Sequence, residues 1–372
     1  MPDNVFPATS QETRHDLCDR LAAALTRSGH HAAIHSMQLM ADTGLAHHHV
    51  WLVRDTIDWV ARLPKQSQLG LGARANLDYQ AACFARASES GHTPALHGVL
   101  APCAELPRGG LLVSAIRGRP ARLPDDLPAI AEALAGLHAL EVPPAEQRKP
   151  LKSPGDPWAA TLEEIATQAR YLEAAELSPA TRRCIEVELA ALPRRLPGAA
   201  PRLISFDAHP GNFLVTRSGR AVLVDLEKCR YGLPGFDLAH ASLYTSTTWD
   251  LNSRAVLTPA DVAGFYRCWI SATGFDGDPA TLLACRRAMW LWSLTWCAKW
   301  RASHRRERDA AARGEDWSAE LSDDALIAHV RDRVDHYLSL STIAHVQQEF
   351  RALEDALKTT TDQPFNEDPL RC

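Results

Sequence analysis

Two carboxylates and one carboxamide stand close together in a segment that can bring them to one place. Asp207 and Asn212 lie in one loop after a short apolar segment, and Asp225 ends a later apolar run. The two apolar runs between Asn212 and Asp225 are separated by Ser218 and Gly219, and turn residues in that position predict a β-hairpin. Such a hairpin would return Asp225 to the side of Asp207 and Asn212.

Oxygen donors of this kind suit a hard cation. Mg²⁺ binds carboxylate oxygens, keeps several of its waters and bridges phosphate groups. The three side chains therefore predict a Mg²⁺ site that can hold a phosphorylated molecule. Taken alone, the spacing of Asp207 and Asn212 is also typical of an ordinary acidic turn, because both residue types are common in turns.

The longer stretch is more specific than this pair. It combines D-x-x-x-x-N, a short hairpin and a hydrophobic residue before Asp, and it continues with Asp225-Leu226-Glu227 and then Gly235 to Ala239. This pattern resembles the catalytic segment of the kinase-like phosphotransferases, above all the aminoglycoside phosphotransferase and choline/ethanolamine kinase group. The resemblance implies that Asp207 is the base that faces the substrate hydroxyl. It also implies that Asn212 and Asp225 hold Mg²⁺.

Two residues in front of Asp207 depart from that family, which usually has His-Gly-Asp there. This chain has Ser205 and Phe206. Ser205 fills less volume than His, and Phe206 replaces a residue that takes positive φ without a steric penalty. We therefore expect a loop of different shape. Because Asp207, Asn212 and Asp225 remain, an active enzyme is favoured over a degraded or repurposed kinase fold.

Short strands near the N-terminus carry residues that the resemblance assigns to the nucleotide. Strands are predicted at 34–40, 50–53 and 57–63. In the family, a Gly-containing loop between the first two covers the phosphates with backbone N–H groups, and Gly44 falls in that loop. The third strand places Val60 and Arg62 on one face, where the family has a small apolar side chain over adenine and a phosphate-binding cation. Without the downstream motif, Arg62 would be interpreted as a solvent-facing residue of an edge strand.

The next two elements complete the nucleotide side of the resemblance. A helix is predicted at 75–90, where family members carry a Glu that pairs with the strand cation. Gln80 falls at that place, with Asp78 as an alternative nearby, and Gln80 can donate or accept a hydrogen bond but brings no charge. The buried-strand run 111–120, which ends in a breaker, resembles the family's lobe-connecting hinge, where backbone groups of Ser114, Ala115 and Ile116 would meet the adenine edge.

The pattern of elements predicts an α+β, protein-kinase-like two-lobed fold with a small antiparallel-sheet N-lobe and a large, mostly helical C-lobe. We expect an N-terminal helix in residues 1–29, the N-lobe in 30–116, and the C-lobe with the catalytic loop and acceptor pocket in 117–358. A mobile tail is expected in 359–372. Ser178 followed by Pro179 is one of the helix-start signals in the C-lobe.

A cluster of tryptophans marks a candidate acceptor site. Trp292, Trp296 and Trp300 recur every four residues and therefore share one helix face. Tryptophan rings can hold a protonated amine by cation–π attraction, and Asp250 in the same region could add a negative charge. This predicts an amino-alcohol or aminated-sugar acceptor. The same spacing is also typical of core packing between helices, so both interpretations stay open.

Composition and charge narrow the class of protein. The net charge of −5 gives no basic excess for nucleic acid, and no apolar run approaches the ~18 residues of a membrane span. No secretory signal pattern is visible at the N-terminus. The nine cysteines are scattered without a C-x-x-C pair, which predicts free thiols in a reducing cytoplasm.

These observations together predict a cytoplasmic small-molecule kinase. It would use ATP and Mg²⁺ to move the γ-phosphoryl group to a hydroxyl of a small molecule. One alternative is a catalytically degraded kinase-like module that binds a nucleotide without turning it over. A second alternative is another enzyme activity on this fold, such as nucleotidyl transfer.

Overall fold

The computed structural model describes residues 9–41, 46–196, 198, 200–250, 252–309 and 324–361. The chain forms two compact units. The first contains the described residues up to Ala85, the segment Pro94–Ala115 and residues 324–327, and the second contains the rest. The predicted phosphate-loop residue Gly44 lies outside the described residues, as do residues 362–372 of the predicted tail.

The first unit is built on one antiparallel sheet. Its elements are α1 (Thr9–Arg27), β1 (Ile34–Leu39), β2 (His47–Arg54), β3 (Trp59–Pro64), α2 (Ala73–Ala87), β4 (Leu96–Leu100) and β5 (Gly110–Ser114), with the last two residues of α2 in the second unit. The strands pair in the order β1-β2-β3-β5-β4. The predicted antiparallel sheet is thus confirmed, and β4 is a strand that the sequence pattern did not predict.

Helix α1 covers one face of this sheet. Its residues Leu21 and Leu25 are fully buried and pack into a cluster with Ala61 of β3 and Leu112 of β5. Ala61 is paired with Leu112 in the register of the two strands. Because side chains alternate along a strand, the residues on either side of Ala61 must point to the opposite face.

Val60 and Arg62 lie on that opposite face, as predicted. Arg62 is only 4% exposed, and its guanidinium carbon lies 5.2 Å from the centre of the Phe84 ring of α2. The alternative of a solvent-facing edge-strand Arg62 is therefore wrong, since β3 is also an inner strand. Gln80, about one turn before Phe84, has its Oε1 3.0 Å from Nε2 of His47 on β2.

The second unit is mostly helical, as predicted for the larger part of the chain. Its elements in chain order are β6 (Gly118–Pro120), α3 (Leu127–His138), α4 (Pro157–Ala169), α5 (Pro179–Ala191), β7 (Arg202–Ile204), β8 (Phe213–Thr216), β9 (Ala221–Leu223), β10 (Arg230–Gly232), α6 (Gly235–Ser242), α7 (Tyr244–Thr247), α8 (Pro259–Thr273), α9 (Pro279–Asp309), α10 (Asp324–Tyr337, from Ala328 onward) and α11 (Leu340–Thr361). Among the described helices, none has the length and hydropathy needed to cross a bilayer.

Two small sheets in this unit carry the acidic segment. Strand β7 pairs with β10, and β8 lies between β6 and β9. The β8–β9 hairpin pairs Phe213 with Leu223, and beyond its end the N–H of Val224 donates to the carbonyl of Asn212 at 2.9 Å. The predicted hairpin is confirmed, and it places Asp225 one residue beyond the position opposite Asn212.

A single buried carboxylate, that of Asp237 near the start of α6, holds the loop in front of Asp207. One oxygen of Asp237 accepts the N–H of Ser205 and the other accepts the N–H of Phe206, each at 2.7 Å. The Ser205 hydroxyl in turn accepts the N–H of Asp207 at 3.1 Å. Three consecutive backbone donors are therefore fixed by two side chains.

His138 and Trp269 extend this support to two more helices. The indole N–H of Trp269 in α8 donates to Nδ1 of His138 in α3 at 3.0 Å. Nδ1 is therefore the acceptor of a neutral ring, and Nε2 carries the hydrogen that it donates to Asp237 at 3.1 Å. All three side chains are buried, so the loop backbone is tied through Asp237 to three helices.

Phe206 takes the conformation that its side chain was expected to prevent. Its φ is +57°, in the left-handed region, so the expectation that Phe206 changes the shape of the loop for this reason is wrong. For a residue with a Cβ this conformation costs about 1–2 kcal/mol. The ring is 1% exposed, with the Arg230 guanidinium 3.7 Å from its centre and the rings of Phe236 and Trp292 at 5.8 and 5.4 Å. Burial of the whole ring offsets the strain.

This balance predicts an unusual order of stability at position 206. Phe206→Ala loses the buried ring and keeps the strained φ, so it should lower the free energy of unfolding by about 3–5 kcal/mol. Phe206→Gly loses the same ring but relieves the strain, so we expect it to be about 1 kcal/mol more stable than Phe206→Ala. Urea unfolding followed by circular dichroism measures both.

Phe213 is the matched control for this pair of variants. It is fully buried like Phe206, but its φ is −108°. At this position glycine relieves no strain, so Phe213→Gly should be less stable than Phe213→Ala. If Phe206→Gly were also the less stable of its pair, the strain assigned to Phe206 would be absent.

Candidate functional site

Asp207 forms a buried ion pair with Lys228. Lys228 lies in the turn between β9 and β10, and its Nζ is 2.8 Å from Oδ2 of Asp207. The two side chains are only 14% and 12% exposed. Solvent therefore screens this pair much less than it would screen a surface salt bridge.

The second oxygen of Asp207 faces a histidine. Nδ1 of His240 lies 3.8 Å from Oδ1 of Asp207, too far for a hydrogen bond. This nitrogen is buried without a hydrogen-bond partner among the described residues. The ring of His209, from the loop itself, lies 5.9 Å from the ring of His240.

The charges in this cluster shift several pKa values. Burial acts to raise the pKa of Asp207, but Lys228, followed by the two histidines, outweighs it and holds that pKa below its usual value. Burial acts to lower the pKa of Lys228, and Asp207 and Glu227 raise it above normal. Burial lowers the pKa of His240 to about 4, against the opposing effect of Asp207. At neutral pH the cluster therefore contains an ionised carboxylate, a protonated lysine and a neutral His240.

The predicted metal ligands lie at the open end of the β8–β9 hairpin. The side-chain N–H of Asn212 donates to the carbonyl of Asp207 at 2.8 Å. Oδ1 of Asn212 can therefore serve as a metal ligand. A carboxylate oxygen of Asp225 lies within 4.8 Å of one from Glu227. The hairpin thus brings an amide oxygen and two carboxylates to the loop that carries Asp207, a donor set suited to a hard cation.

Sequence reasoning gave no role to four residues of this cluster, namely His209, Glu227, Lys228 and His240. Glu227 follows Asp225 by two residues, a spacing that puts side chains on one side of an extended segment. His240 follows Asp237 by three residues, which puts both on one face of a helix. Lys228 had no comparable signal, because its contact with Asp207 depends on the shape of a turn.

Trp292 of the predicted acceptor site lies against the loop that carries Asp207. Its ring meets Phe206 edge to face, with the centres 5.4 Å apart. Its indole N–H donates to Glu164 of α4 at 3.3 Å, and Glu164 also pairs with Arg230 at 2.8 Å. Trp292 and Trp296 are half-buried, whereas Trp300 is buried. The first two tryptophans of the stripe are therefore partly exposed residues, and the third belongs to the core.

Asp250 also lies against this loop. A Cβ built on Gly211 would come within 2.8 Å of the Asp250 Cβ, so only glycine fits at that position. Asp250 is held by the N–H groups of Asn252 and Ser253, which donate to its Oδ1 at 2.8 and 3.0 Å. Trp296 packs on Trp249, the residue before Asp250, with ring centres 5.9 Å apart.

The segment predicted to bind the nucleotide base, residues 114–116, has two of its backbone N–H groups already hydrogen-bonded within the protein. The N–H of Ser114 donates to the carbonyl of Ala95 and that of Ala115 donates to the carbonyl of Asp58, both at 2.9 Å. These two donors belong to the sheet of the first unit. Any further backbone contact from Ser114 and Ala115 would therefore use their carbonyl oxygens, and the next residue, Ile116, belongs to the second unit.

Many solved structures are similar to this chain, and three of them illustrate the likeness. A macrolide 2'-phosphotransferase from Brachybacterium faecium matches with 14% identity and a TM-score of 0.55, over 85% of this chain and 98% of that one. An ethanolamine kinase from Plasmodium vivax matches with 13% identity and a TM-score of 0.55, over 84% of each chain. A spectinomycin phosphotransferase, solved with ADP and spectinomycin, matches with 12% identity and a TM-score of 0.55, over 90% and 98%. At these identities the likeness shows a shared protein-kinase-like fold.

The sequence itself gives the family. No curated protein sequence matches the chain. A family model described as the phosphotransferase enzyme family matches residues 39–264, more than half of the chain, and this range contains the hairpin and the cluster around Asp207. The chain therefore belongs to the phosphotransferase enzyme family.

Proposed function

We propose that this protein transfers the γ-phosphoryl group of ATP, in the presence of Mg²⁺, to a hydroxyl of a small molecule. The observation that carries the proposal is the cluster in the second unit, where Asp207 stands beside the donor oxygens of Asn212 and Asp225. One oxygen of Asp207 is held by Lys228, which leaves Oδ1 to accept a hydrogen bond from the acceptor hydroxyl.

The proposed phosphoryl transfer does not need Asp207 to be a strong base. The acceptor oxygen forms a bond to the γ-phosphorus while the bond between that phosphorus and the bridging oxygen breaks, and the electron pair leaves with ADP. The hydroxyl proton passes to Asp207 and then to solvent. A carboxylate with a lowered pKa is a weak base, but phosphoryl transfer depends mainly on positioning and on neutralising charge. Asp207 therefore acts chiefly by orienting the hydroxyl.

The residues present fit Mg²⁺. Asn212 and Asp225 would be ligands, and Glu227 places a second carboxylate within 4.8 Å of Asp225. A hard cation takes such oxygens and keeps part of its water shell. When bound there, Mg²⁺ would neutralise part of the negative charge of the ATP phosphates.

The first unit would supply the nucleotide-binding residues. Val60 and Arg62 share one face of β3, with Val60 proposed against adenine and Arg62 near the phosphates. Gly44 would cover the phosphates with its backbone. The base would be met by carbonyl oxygens of Ser114 and Ala115, whose N–H groups are engaged in the sheet, and by backbone groups of Ile116. These four assignments come from the family resemblance.

For the acceptor, we propose an amino alcohol or an aminated sugar. Trp292 contacts the ring of Phe206, which precedes Asp207, and Asp250 lies against Gly211 of the same loop. An aromatic face and a carboxylate beside the proposed base suit a protonated amine. The names of the similar structures, which include ethanolamine and spectinomycin, support a small-molecule acceptor.

A screen for ATP consumption tests this function. We expect consumption with some member of a panel of amino alcohols and aminated sugars, and a product heavier by one phosphoryl group. Asp207→Asn should lower turnover by on the order of 10²-fold or more while ATP still binds. ATP binding without turnover on any acceptor would favour the nucleotide-binding module, and a product carrying a nucleotidyl group would favour nucleotidyl transfer.

A second prediction concerns the metal ligands. Asp225→Asn removes a carboxylate charge from the proposed Mg²⁺ site, so Mg²⁺-dependent ATP turnover should be lost while the thermal unfolding temperature changes little. Asp335→Asn is the matched control, because Asp335 is an exposed partner of Arg301 far along the chain. Turnover in Asp225→Asn equal to that of the native chain would exclude Asp225 as a ligand.

A third prediction concerns the cation on β3. Arg62→Ala should weaken the binding of ATP more than that of adenosine, because only ATP has phosphates to lose a partner. Arg74→Ala serves as the control, since Arg74 is exposed and pairs with Asp78 on α2. Titration of both ligands by calorimetry decides the matter, and equal losses would place Arg62 outside the phosphate site.

A further inference from the structure

Lys228 is the cation in contact with the proposed base. Its Nζ lies 2.8 Å from Oδ2 of Asp207, in a pair whose side chains are about nine-tenths covered by protein. Lys228 lies three residues after Asp225 and one after Glu227. Its positive charge is thus placed among three carboxylates, and it makes its hydrogen bond to the carboxylate of Asp207.

An unpaired Asp207 would oppose the proposed reaction. ATP brings several negative charges, and in the transfer step charge spreads over the oxygens of the moving phosphoryl group. A bare carboxylate in a poorly solvated site repels such a group strongly, because like charges interact more steeply where water is excluded. Something must cancel the charge of Asp207 without occupying both of its oxygens.

Lys228 satisfies both conditions. It binds Oδ2 and leaves Oδ1, whose other neighbour is Nδ1 of His240 at 3.8 Å. His240 is neutral at ordinary pH, since burial lowers its pKa to about 4, and it adds no charge on that side. The carboxylate is therefore held from one side, and Oδ1 is the oxygen that can turn to a hydroxyl.

We propose that Lys228 is a positioning residue that neutralises Asp207, so that the phosphates of ATP can approach while Oδ1 stays turned to the acceptor. This inference rests on the proposed function and assigns a role to a residue outside the D-x-x-x-x-N and hydrophobic-Asp motifs. Lys228 acts through Asp207 and does not bind the phosphates of ATP directly. The ATP preference of the site should therefore follow the summed charge of residues 207 and 228.

Four variants form a charge series that tests the mechanism. Lys228→Met leaves one negative charge, Asp207→Asn leaves one positive charge, and the double variant leaves none, like the native pair. We expect Lys228→Met to shift the ratio of ATP to ADP affinity against ATP by about tenfold and to lower kcat at least as much. Lys228→Arg keeps the positive charge, so both values should stay within about threefold of the native ones.

The double variant separates neutralisation from direct phosphate contact. If Lys228 acts by cancelling Asp207, the affinity ratio in Asp207→Asn/Lys228→Met returns to within about twofold of the native ratio, although kcat stays low. If the ratio of ATP to ADP affinity in the double variant stays as low as in Lys228→Met, Lys228 binds the phosphate directly and the proposal is overturned. A native ratio and native kcat in Lys228→Met would overturn it as well.

Arg287→Met controls for the loss of a partly buried ion pair as such, since the Arg287 side chain is 36% exposed. Arg287 of α9 pairs with Glu188 of α5 at 2.6 Å, and Glu188 is 11% exposed at its side chain. This variant should unfold at a lower temperature, as Lys228→Met also should, but keep kcat and the affinity ratio. Affinities are measured by calorimetry with Mg²⁺ present. If the native protein binds neither ATP nor ADP, the proposed function itself is overturned. If the native protein transfers phosphate and Lys228→Met has the same kcat and affinity ratio, only the role of Lys228 is overturned.

Discussion

The carboxylate of Asp237 fixes the backbone on which the candidate site is built. It accepts the N–H groups of two consecutive residues, Ser205 and Phe206, and it is itself fixed by His138. A buried carboxylate is stable in such a place only when its lone pairs are satisfied, and here backbone donors and a ring N–H satisfy them. The direction in which Asp207 leaves the loop follows from these bonds, so the geometry of the candidate site depends on a carboxylate that holds only backbone and His138.

The charge of Asp207 is balanced by a few neighbouring side chains. Lys228 cancels the negative charge from one side, and Asn212 fixes the carbonyl of the same residue with its amide. The oxygen donors proposed for Mg²⁺ flank the hairpin, with Asn212 before β8 and Asp225 after β9. Lys228 lies near Asp225 and Glu227 as well as Asp207, and a neutral His240 faces the second oxygen of Asp207. Fixed charges of both signs therefore lie within a small volume, as a site that acts by electrostatic stabilisation requires.

Much of the fold followed from local pattern, and the parts that did not depend on distant contacts. The β8–β9 hairpin and the shared face of Val60 and Arg62 came from turn residues and strand alternation. Strand β4 was missed because Leu96–Leu100 contains His97 and Gly98 and lacks a clear apolar alternation. The conformation of Phe206 could not be predicted, since the burial that offsets its strain comes from Arg230, Phe236 and Trp292 in other elements. The contact of Lys228 with Asp207 could not be predicted either, because it depends on the shape of the turn between β9 and β10.

The buried ring of Phe206 has an evolutionary consequence. It fills a space bounded by side chains of β10, α6 and α9, so the residue before Asp207 is coupled to positions far along the chain. Restoring the His-Gly-Asp of related enzymes in this background would leave a void of phenyl size beneath Arg230. Substitutions at these positions are therefore expected to show strong epistasis, and the two versions of the loop represent alternative solutions that single mutations cannot easily interconvert.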